Sequence, residues 1–423
     1  MRCLGMQFEH PSFPKLWQLL RLQLASVALL LLLVSCNAYN PWIAPSEQQD
    51  PGAPRAEVKP VYSVFLVGDA GKNPSYAPTP ALQALETQLE RTYHANALIF
   101  LGDNIYEEGL PPDSVPNYLH YRDYMDSQLE VARTRRGPTV FIPGNHDWNG
   151  GTQTGGWAAV KRQEAYIESQ LNHPKTHLPN GGCPGPAVRK LGERWAVIVL
   201  DTHWWMHPHK SDRPVGANSP CQHRTEDEIL RALDDSIRTL EGRKVLIVGH
   251  HPLFSNGAHG DHYTLEDHLF PLRMAKKWLW LPLPGLGSLY PLGRRWSKNP
   301  TDITNPDYKR MKQGLLKVLR RHPNSLYACG HEHGLQYFHL PEYAGLHHIV
   351  SGAGSKYSNH RKGFGAGFVY SYYGFAVLRE YADGTIMLEY FAPKKDAPAQ
   401  PELVFRKRVS PAQNARAHPP GVR

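Results

Sequence analysis

Leu98-Ile99-Phe100-Leu101-Gly102-Asp103-Asn104-Ile105-Tyr106 is an apolar run of strand length that ends in Gly-Asp and, three residues on, a tyrosine. In α/β folds the chemistry gathers beyond the carboxyl ends of buried strands, so the Asp103 carboxylate is expected at a mouth. One Gly-Asp after a strand is ordinary turn chemistry; recurrence gives it weight. Phe65-Leu66-Val67 runs into Gly68-Asp69-Ala70-Gly71, and Val140-Phe141-Ile142 runs towards Gly144-Asn145-His146-Asp147. Val245 to Val248 enters Gly249-His250-His251-Pro252, and Leu326 to Cys329 enters Gly330-His331-Glu332-His333. Five such strands would carry Asp69, Asp103, Tyr106, Asn145, His250, His331 and His333 to one rim.

The segments between these strands read as helices and crossovers. Thr79-Pro80 is an N-cap followed by proline at the first helical position, and Leu82, Leu85 and Leu89 mark one helical face before the strand Ala97 to Leu101. A right-handed βαβ crossover from Val61–Val67 then sets Asp69 and Asp103 side by side. Trp195 to Leu200 is a strand, Thr225-Glu226-Asp227-Glu228 is a capping box, and Leu230, Leu233, Ile237 and Leu240 continue its helix. Tyr308 to Arg321 reads as a further helix, and 347–351 and 368–390 as antiparallel strands. Two stretches fit no such unit. One is Gly/Asn/Pro-rich Trp148 to Pro186, with a helix over Ala158 to Leu171; the other lies within 263–300, where Trp and Leu from Trp278 to Trp296 are broken by Pro and Gly. The latter matches a membrane-surface segment or a lid better than a membrane span.

The chain has 423 residues, 41% hydrophobic, with a formal net charge of +9. That charge suits an acidic partner, but no RNP, zinc-finger or helix-turn-helix pattern is present and no nucleic-acid partner is predicted. Residues 1–36 read as an address: Arg2, Lys15 and Arg21 precede the apolar run Leu22 to Val34, which ends Leu33-Val34-Ser35-Cys36. This is similar to a bacterial lipoprotein signal, which implies acylation of Cys36 and an extracytoplasmic protein anchored to a membrane. Pro/Gln-rich 37–60 reads as a tether, 61–393 as the folded domain, and 394–423 as a loose tail apart from Leu403-Val404-Phe405. Cys329 falls in a buried strand. Cys183 and Cys221 flank the strand at Trp195 in Gly/Pro-rich loops, where an oxidising compartment would permit a bridge.

Asp, Asn and Tyr oxygens mixed with imidazoles suit iron, manganese or zinc rather than calcium. Seven ligands exceed one tetrahedral site but suit two metals sharing a carboxylate, the arrangement that clamps attacking and leaving oxygens in phosphoryl transfer.

Gly-Asp-x-Gly, Gly-Asp-x-x-Tyr, Gly-Asn-His-Asp, a hydrophobic strand with Gly-His, and Gly-His-x-His, in this order, resemble the five blocks of the purple acid phosphatases within the calcineurin-like metallophosphoesterases. The likeness is nearest to the small mammalian-type tartrate-resistant enzymes and extends to Leu200-Asp201-Thr202, Gly334-Leu335-Gln336-Tyr337 and Val350-Ser351-Gly352-Ala353-Gly354. It implies an α/β fold, a four-layer α-β-β-α sandwich with two mixed sheets. It also implies a ferric site from Asp69, Tyr106 and His333, a divalent iron, zinc or manganese site from Asn145, His250 and His331, and Asp103 bridging the two. Gly71 stands where other metallophosphoesterases carry a ligand histidine, so a histidine is lost as Tyr106 is gained. His250 is chosen over His251 by its place in the motif. His146 and His259 correspond to histidines that touch substrate and protonate the leaving group. Asp147 and Asp201 are expected to orient ligands or loops, and His262, His268 and His347 to lie outside the site.

The resemblance therefore implies hydrolysis of a phosphomonoester by a metal-activated hydroxide, without a covalent enzyme intermediate. Its rivals are a phosphodiesterase or nucleotidase on the same metals, and an envelope lipoprotein with a vestigial site.

Overall fold

The computed structural model describes residues 21, 40–48, 58–73, 77–134, 137–216, 219–240 and 242–410. The fold is that of the compact unit Pro41–Arg423; apart from Arg21, residues 1–36, the expected address with its Cys36, lie outside the described residues. In chain order the strands are β1 (Trp42–Ile43), β2 (Tyr62–Val67), β3 (Ala95–Phe100), β4 (Thr139–Phe141), β5 (Ala187–Leu191), β6 (Trp195–Val199) and β7 (Lys244–Val248). They continue with β8 (Leu326–Cys329), β9 (Leu335–Leu340), β10 (Leu346–Ser351), β11 (Ala366–Tyr370), β12 (Phe375–Glu380), β13 (Ile386–Pro393) and β14 (Pro401–Ser410). They form two mixed sheets, ordered β1-β11-β9-β10-β8-β7-β6-β5 and β14-β13-β12-β2-β3-β4.

Side-chain alternation makes the layers. Val64, Leu66, Ala97 and Ile99 of one sheet meet Val197, Val199, Leu246, Val248 and Ala328 of the other in a shared core. Their odd-even neighbours turn outward. Phe65, Val67, Leu98 and Phe100 pack on Leu82, Leu85, Met125 and Leu129 of two helices. Ile198, Ile247, Tyr327 and Cys329 pack on Ile229, Leu233, Met311 and Leu315 of two more. Period-2 strands between period-3.6 helices thus give the expected four-layer α/β sandwich.

Local signals set the helix starts. Thr79 Oγ1 accepts the Leu82 amide at 3.3 Å at the head of Pro80–Glu90, and Thr225 with Glu228 closes a full capping box before Glu226–Thr239. Pro306–Leu319 starts at Asn305, whose side chain accepts the Asp307 amide at 2.9 Å.

Three features depart from the sequence reading. Tyr118–Arg133 is a helix that no clean apolar stripe announces, because Ser127 and Gln128 are among its buried residues. The tether residues Trp42 and Ile43 form β1, paired with Val369 and Phe368 of β11. The tail expected to be loose forms β14 as far as Ser410 and pairs along all of β13. Its basic run obscured the alternation, since Phe405 and Val409 are buried while Arg406 between them bonds Glu389 at 2.9 Å. Around Trp278–Trp296 most of the large apolar side chains stand exposed.

Cys183 and Cys221 are joined by a disulfide across a sequence separation of 38, and Cys329 is a buried free thiol.

Candidate metal centre

β2, β3 and β4 run parallel in one sheet, and β6, β7 and β8 run parallel in the other. Their carboxyl ends meet across the shared core, so the seven predicted residues gather from two sheets rather than one. The approach is close. A Cβ on Gly330 would come within 2.5 Å of Asp69 Oδ2, and one on Gly68 within 3.0 Å of Gly330 Cα. Asp69, Asp103 and His331 hold left-handed backbone at φ 58°, 53° and 67°, a cost of order 1 kcal/mol or more for each that functional sites tend to carry.

One cluster centres on Tyr106. Its hydroxyl donates towards Asp69 Oδ1 and Asp103 Oδ2, each at 2.8 Å, and lies 3.3 Å from His333 Nε2. His333 Nε2 is also 3.5 Å from Asp69 Oδ1. Donors at about 2.1 Å around an octahedral cation stand about 3 Å apart, so these four atoms already have the spacing of one coordination sphere. Burial, with the two carboxylates beside it, pushes the Tyr106 phenol well above its usual value. Burial also raises Asp69, to about 7.

The second cluster lies on the other side of Asp103. His250 Nδ1 is 2.7 Å from the Leu101 carbonyl and His331 Nε2 is 2.8 Å from the Thr301 carbonyl. A carbonyl only accepts, so both nitrogens carry hydrogen. The remaining nitrogens, His250 Nε2 and His331 Nδ1, then face each other at 3.3 Å, with Asp103 Oδ1 3.3 Å from His250 Nε2. Two facing lone pairs beside a carboxylate require a positive charge. A proton on His250 meets part of that need: burial works against it, but Asp103 and Asp69 raise the ring to about 9. A metal ion also accounts for Asn145 Oδ1, which is buried and has no partner among the described residues. Asp103 itself is held well below the carboxylate range, because His250 and His146 outweigh its burial. The residues present therefore fit two cations sharing Asp103. His250, His251 and His331 offer atoms within 4.8 Å of one another, as do Asp69, Asp103 and His250. His251 Nδ1 is taken by Thr202 Oγ1 at 2.8 Å, and its Nε2 is a further unpartnered atom behind the centre.

His146 and His259 flank these clusters. The His146 amide donates to Asp103 Oδ1 at 2.9 Å, and its Nδ1 donates to the Glu107 carbonyl at 2.6 Å, leaving Nε2 as its free lone pair. The His259 ring lies 4.0 Å from that of His331, and its Nδ1 bonds Asp302 Oδ1 at 2.9 Å. Arg294 grips the same carboxylate with Nε and Nη2, both at 2.8 Å.

Asp147 and Asp201 bond the loops that carry the ligands rather than join either cluster. Asp147 accepts the amides of Gly144 at 2.7 Å, Asn104 at 3.0 Å and Ile105 at 3.2 Å, tying two ligand loops together. Asp201 accepts Trp148 Nε1 at 2.8 Å and the His203 amide at 3.0 Å. Three other histidines have unrelated partners: His347 bonds Tyr337, His268 bonds Ser288, and His262 packs against Phe364. Sequence reasoning missed Lys356, whose Nζ lies 3.4 Å from the Tyr106 ring centroid, and also Asp302 and Arg294. Lys356 follows the end of β10, so the strand-end rule used for the ligands would have found it. Nothing in the Pro/Gly-rich segment marks Asp302 or Arg294.

Residues 62–335, more than half the chain, match the family described as calcineurin-like phosphoesterase. Among curated relatives, purple acid phosphatase 3 of Arabidopsis thaliana is 25% identical over 236 residues, 51% of this chain and 54% of that protein. Tartrate-resistant acid phosphatase type 5 of Sus scrofa is 22% identical over 311 residues, 71% of this chain and 72% of that protein. The chain thus spans about half the length of the plant relative and more of the mammalian-type one. Among solved structures, the purple acid phosphatase PPD1 from yellow lupin (Lupinus luteus) superposes with a TM-score of 0.51 at 12% identity, covering 85% of this chain and 55% of that one. Five strand ends from two facing sheets, the clusters they build and the matched span lead to one assignment: this chain belongs to the calcineurin-like phosphoesterase family.

Proposed function

We propose that the protein is a dinuclear metal-dependent phosphatase that hydrolyses phosphomonoesters at mildly acid pH. The observation that carries this reading is the divided carboxylate of Asp103, with Oδ2 2.8 Å from Tyr106 Oη and Oδ1 3.3 Å from His250 Nε2. One cation would be held by Asp69, Asp103, Tyr106 and His333, a hard, phenolate-bearing set that favours Fe(III). The other, a divalent iron, zinc or manganese ion, would be held by Asp103, Asn145, His250 and His331. Such a pair supplies an activated water and neutralises phosphoryl charge.

The chain's own residues do the rest. His146, with Nδ1 fixed on the Glu107 carbonyl, presents Nε2 to phosphoryl oxygens at the mouth. His259, held at Nδ1 by Asp302, presents Nε2 to the leaving oxygen and can return a proton there. Lys356, beside Tyr106, adds positive charge on the tyrosine side. A monoester loses its second proton near pH ~6, so mild acid favours its monoanion.

The protein is also read as extracytoplasmic and acylated at Cys36. The Cys183–Cys221 bridge supports an oxidising compartment. Metal analysis of the purified protein, with turnover of matched mono- and diesters across pH, tests the reading. Faster turnover of diesters would replace it with a phosphodiesterase or nucleotidase on the same centre, and no turnover with metals bound would leave a vestigial site.

A further inference from the structure

Residues 271–298 carry, apart from Arg294, side chains that the catalytic reading does not use. Trp278, Leu281, Leu286, Leu289 and Trp296 along this one segment are exposed, from 54% for Leu281 to 75% for Trp296. Pro282, Pro284 and Gly285 break it, and its longest helix is the nine-residue Leu289–Ser297. Among the described residues no helix is long and apolar enough to cross a membrane. Several large apolar side chains exposed along one short segment in this way mark an interaction site.

Charge and position narrow the partner. The segment contains neither Asp nor Glu; Arg273 and Arg294 are tied to Glu266 and Asp302, while Lys276, Lys277, Arg295 and Lys298 stand exposed. A second copy docking on the same face would set like charges against each other. An anionic lipid surface answers both features, because Trp and Leu enter the headgroup boundary while Lys and Arg hold the phosphates. The segment also adjoins the catalytic mouth at both ends. Lys277 Nζ stands 2.9 Å from the Tyr357 ring centroid, next in the chain to Lys356. At the other end the helix Leu289–Ser297 carries Arg294, bonded to the Asp302 that holds His259.

We propose that 271–298 is a bilayer-docking element that seats the site on an anionic membrane surface, so that the substrates are phosphoesters carried at that surface. The docking stands on the segment's own chemistry; the substrate class rests on the phosphatase reading above.

The test uses the whole protein as expressed, mixed with vesicles of phosphatidylcholine and chain-brominated phosphatidylglycerol. Any N-terminal anchor is then common to every variant. Tryptophan fluorescence should be quenched, and Trp278→Phe with Trp296→Phe should lose most of that quenching. Wild-type fluorescence that stays unquenched, or quenching unchanged in the double variant, overturns the docking. So does concentration-dependent self-association in lipid-free buffer that shields these tryptophans and is abolished by their replacement. Equal quenching with only neutral lipid overturns the anionic part.

For the substrate class, Leu281→Ser with Leu286→Ser and Leu289→Ser should cut turnover of a vesicle-borne phosphomonoester about tenfold or more. Turnover of a soluble aryl phosphate should be unchanged, which also shows that the variant folds. An equal effect on both substrates overturns the substrate class. If wild type hydrolyses no phosphoester at all, the phosphatase reading fails while the quenching experiment still decides the docking.

Discussion

His250 Nε2 and His331 Nδ1 face each other across 3.3 Å, each turned there by a backbone carbonyl that occupies the ring's other nitrogen. The chain has therefore fixed two imidazole lone pairs on one point before any ligand is considered, and relieving that contact should stabilise the fold. Chelation is expected to lower stability by about 3 kcal/mol or more, the linkage expected from a ligand held at a hundred times its dissociation constant. His331→Ala should reduce bound metal from about two ions per chain towards one. Elemental analysis with thermal unfolding checks both; a metal content and melting temperature indifferent to chelator and to the substitution would remove the dinuclear reading.

Tyr106 distinguishes the metals. A phenolate bound to Fe(III) absorbs visible light by charge transfer, so the iron-loaded protein should be coloured and Tyr106→Phe colourless. The substitution also removes one oxygen from the donor set gathered around Asp69 Oδ1 and Asp103 Oδ2, so an ion held there should bind more weakly. A colourless wild type carrying only zinc or manganese would refute the ferric assignment and leave the paired site intact.

These ligands were legible in the sequence because each follows a strand and a glycine, a local signal that survives without tertiary information. What the linear pattern could not show is that the strands belong to two sheets, since β2 to β4 and β6 to β8 read alike until paired. β14 was hidden for another reason: Arg406, Lys407 and Arg408 look like a solvated tail until Glu389 and Glu47 are found to receive two of them. Asp302 and Arg294 were illegible because their role depends on a Pro/Gly-rich segment folding back onto His259, which no periodicity encodes.

Acid should destabilise the fold through histidines remote from the ligands. Burial lowers His177 to about 3, and burial with nearby Lys312 lowers His348 to about 3. A histidine whose folded pKa is depressed contributes fully above its unfolded value near 6.5, and that stability is lost as pH falls towards the folded value. Each should therefore cost about 1.4 kcal/mol per pH unit through that window. Both ring nitrogens of His177 are buried without partners among the described residues, so His177→Phe is a near-isosteric replacement. It should flatten the slope by one proton's worth in denaturant unfolding between pH 4 and 6; a slope unchanged from wild type would mean the ring gains partners in solution.

The Cys183–Cys221 bridge closes a sequence separation of 38, worth about 4 kcal/mol in the chain-entropy account. Cys183→Ser with Cys221→Ser should lose roughly that much stability while keeping metal content, because neither sulfur touches a ligand. Loss of metal in a folded double variant would show instead that the bridge holds the site's shape.

The last prediction separates proton donation from metal binding. His259 is tied at Nδ1 to Asp302, which Arg294 holds with two bonds, so its ring orientation is set from the stretch between Arg294 and Asp302 rather than from the strands. His259→Ala should keep both metals yet lower kcat for alkyl monoesters about 100-fold or more, the usual worth of a placed general acid. Aryl esters should suffer much less, because their leaving oxygen departs without a proton. Asp302→Asn leaves the imidazole in place but removes the charge that steadies its protonated form. It should reproduce the alkyl-ester defect in part and again spare aryl esters, since the ring is no longer held towards the leaving oxygen by a charged partner. If Asp302→Asn lowered alkyl and aryl turnover alike, Asp302 would be a structural tie for the segment, and the leaving-group proton would have to come from His146 or solvent.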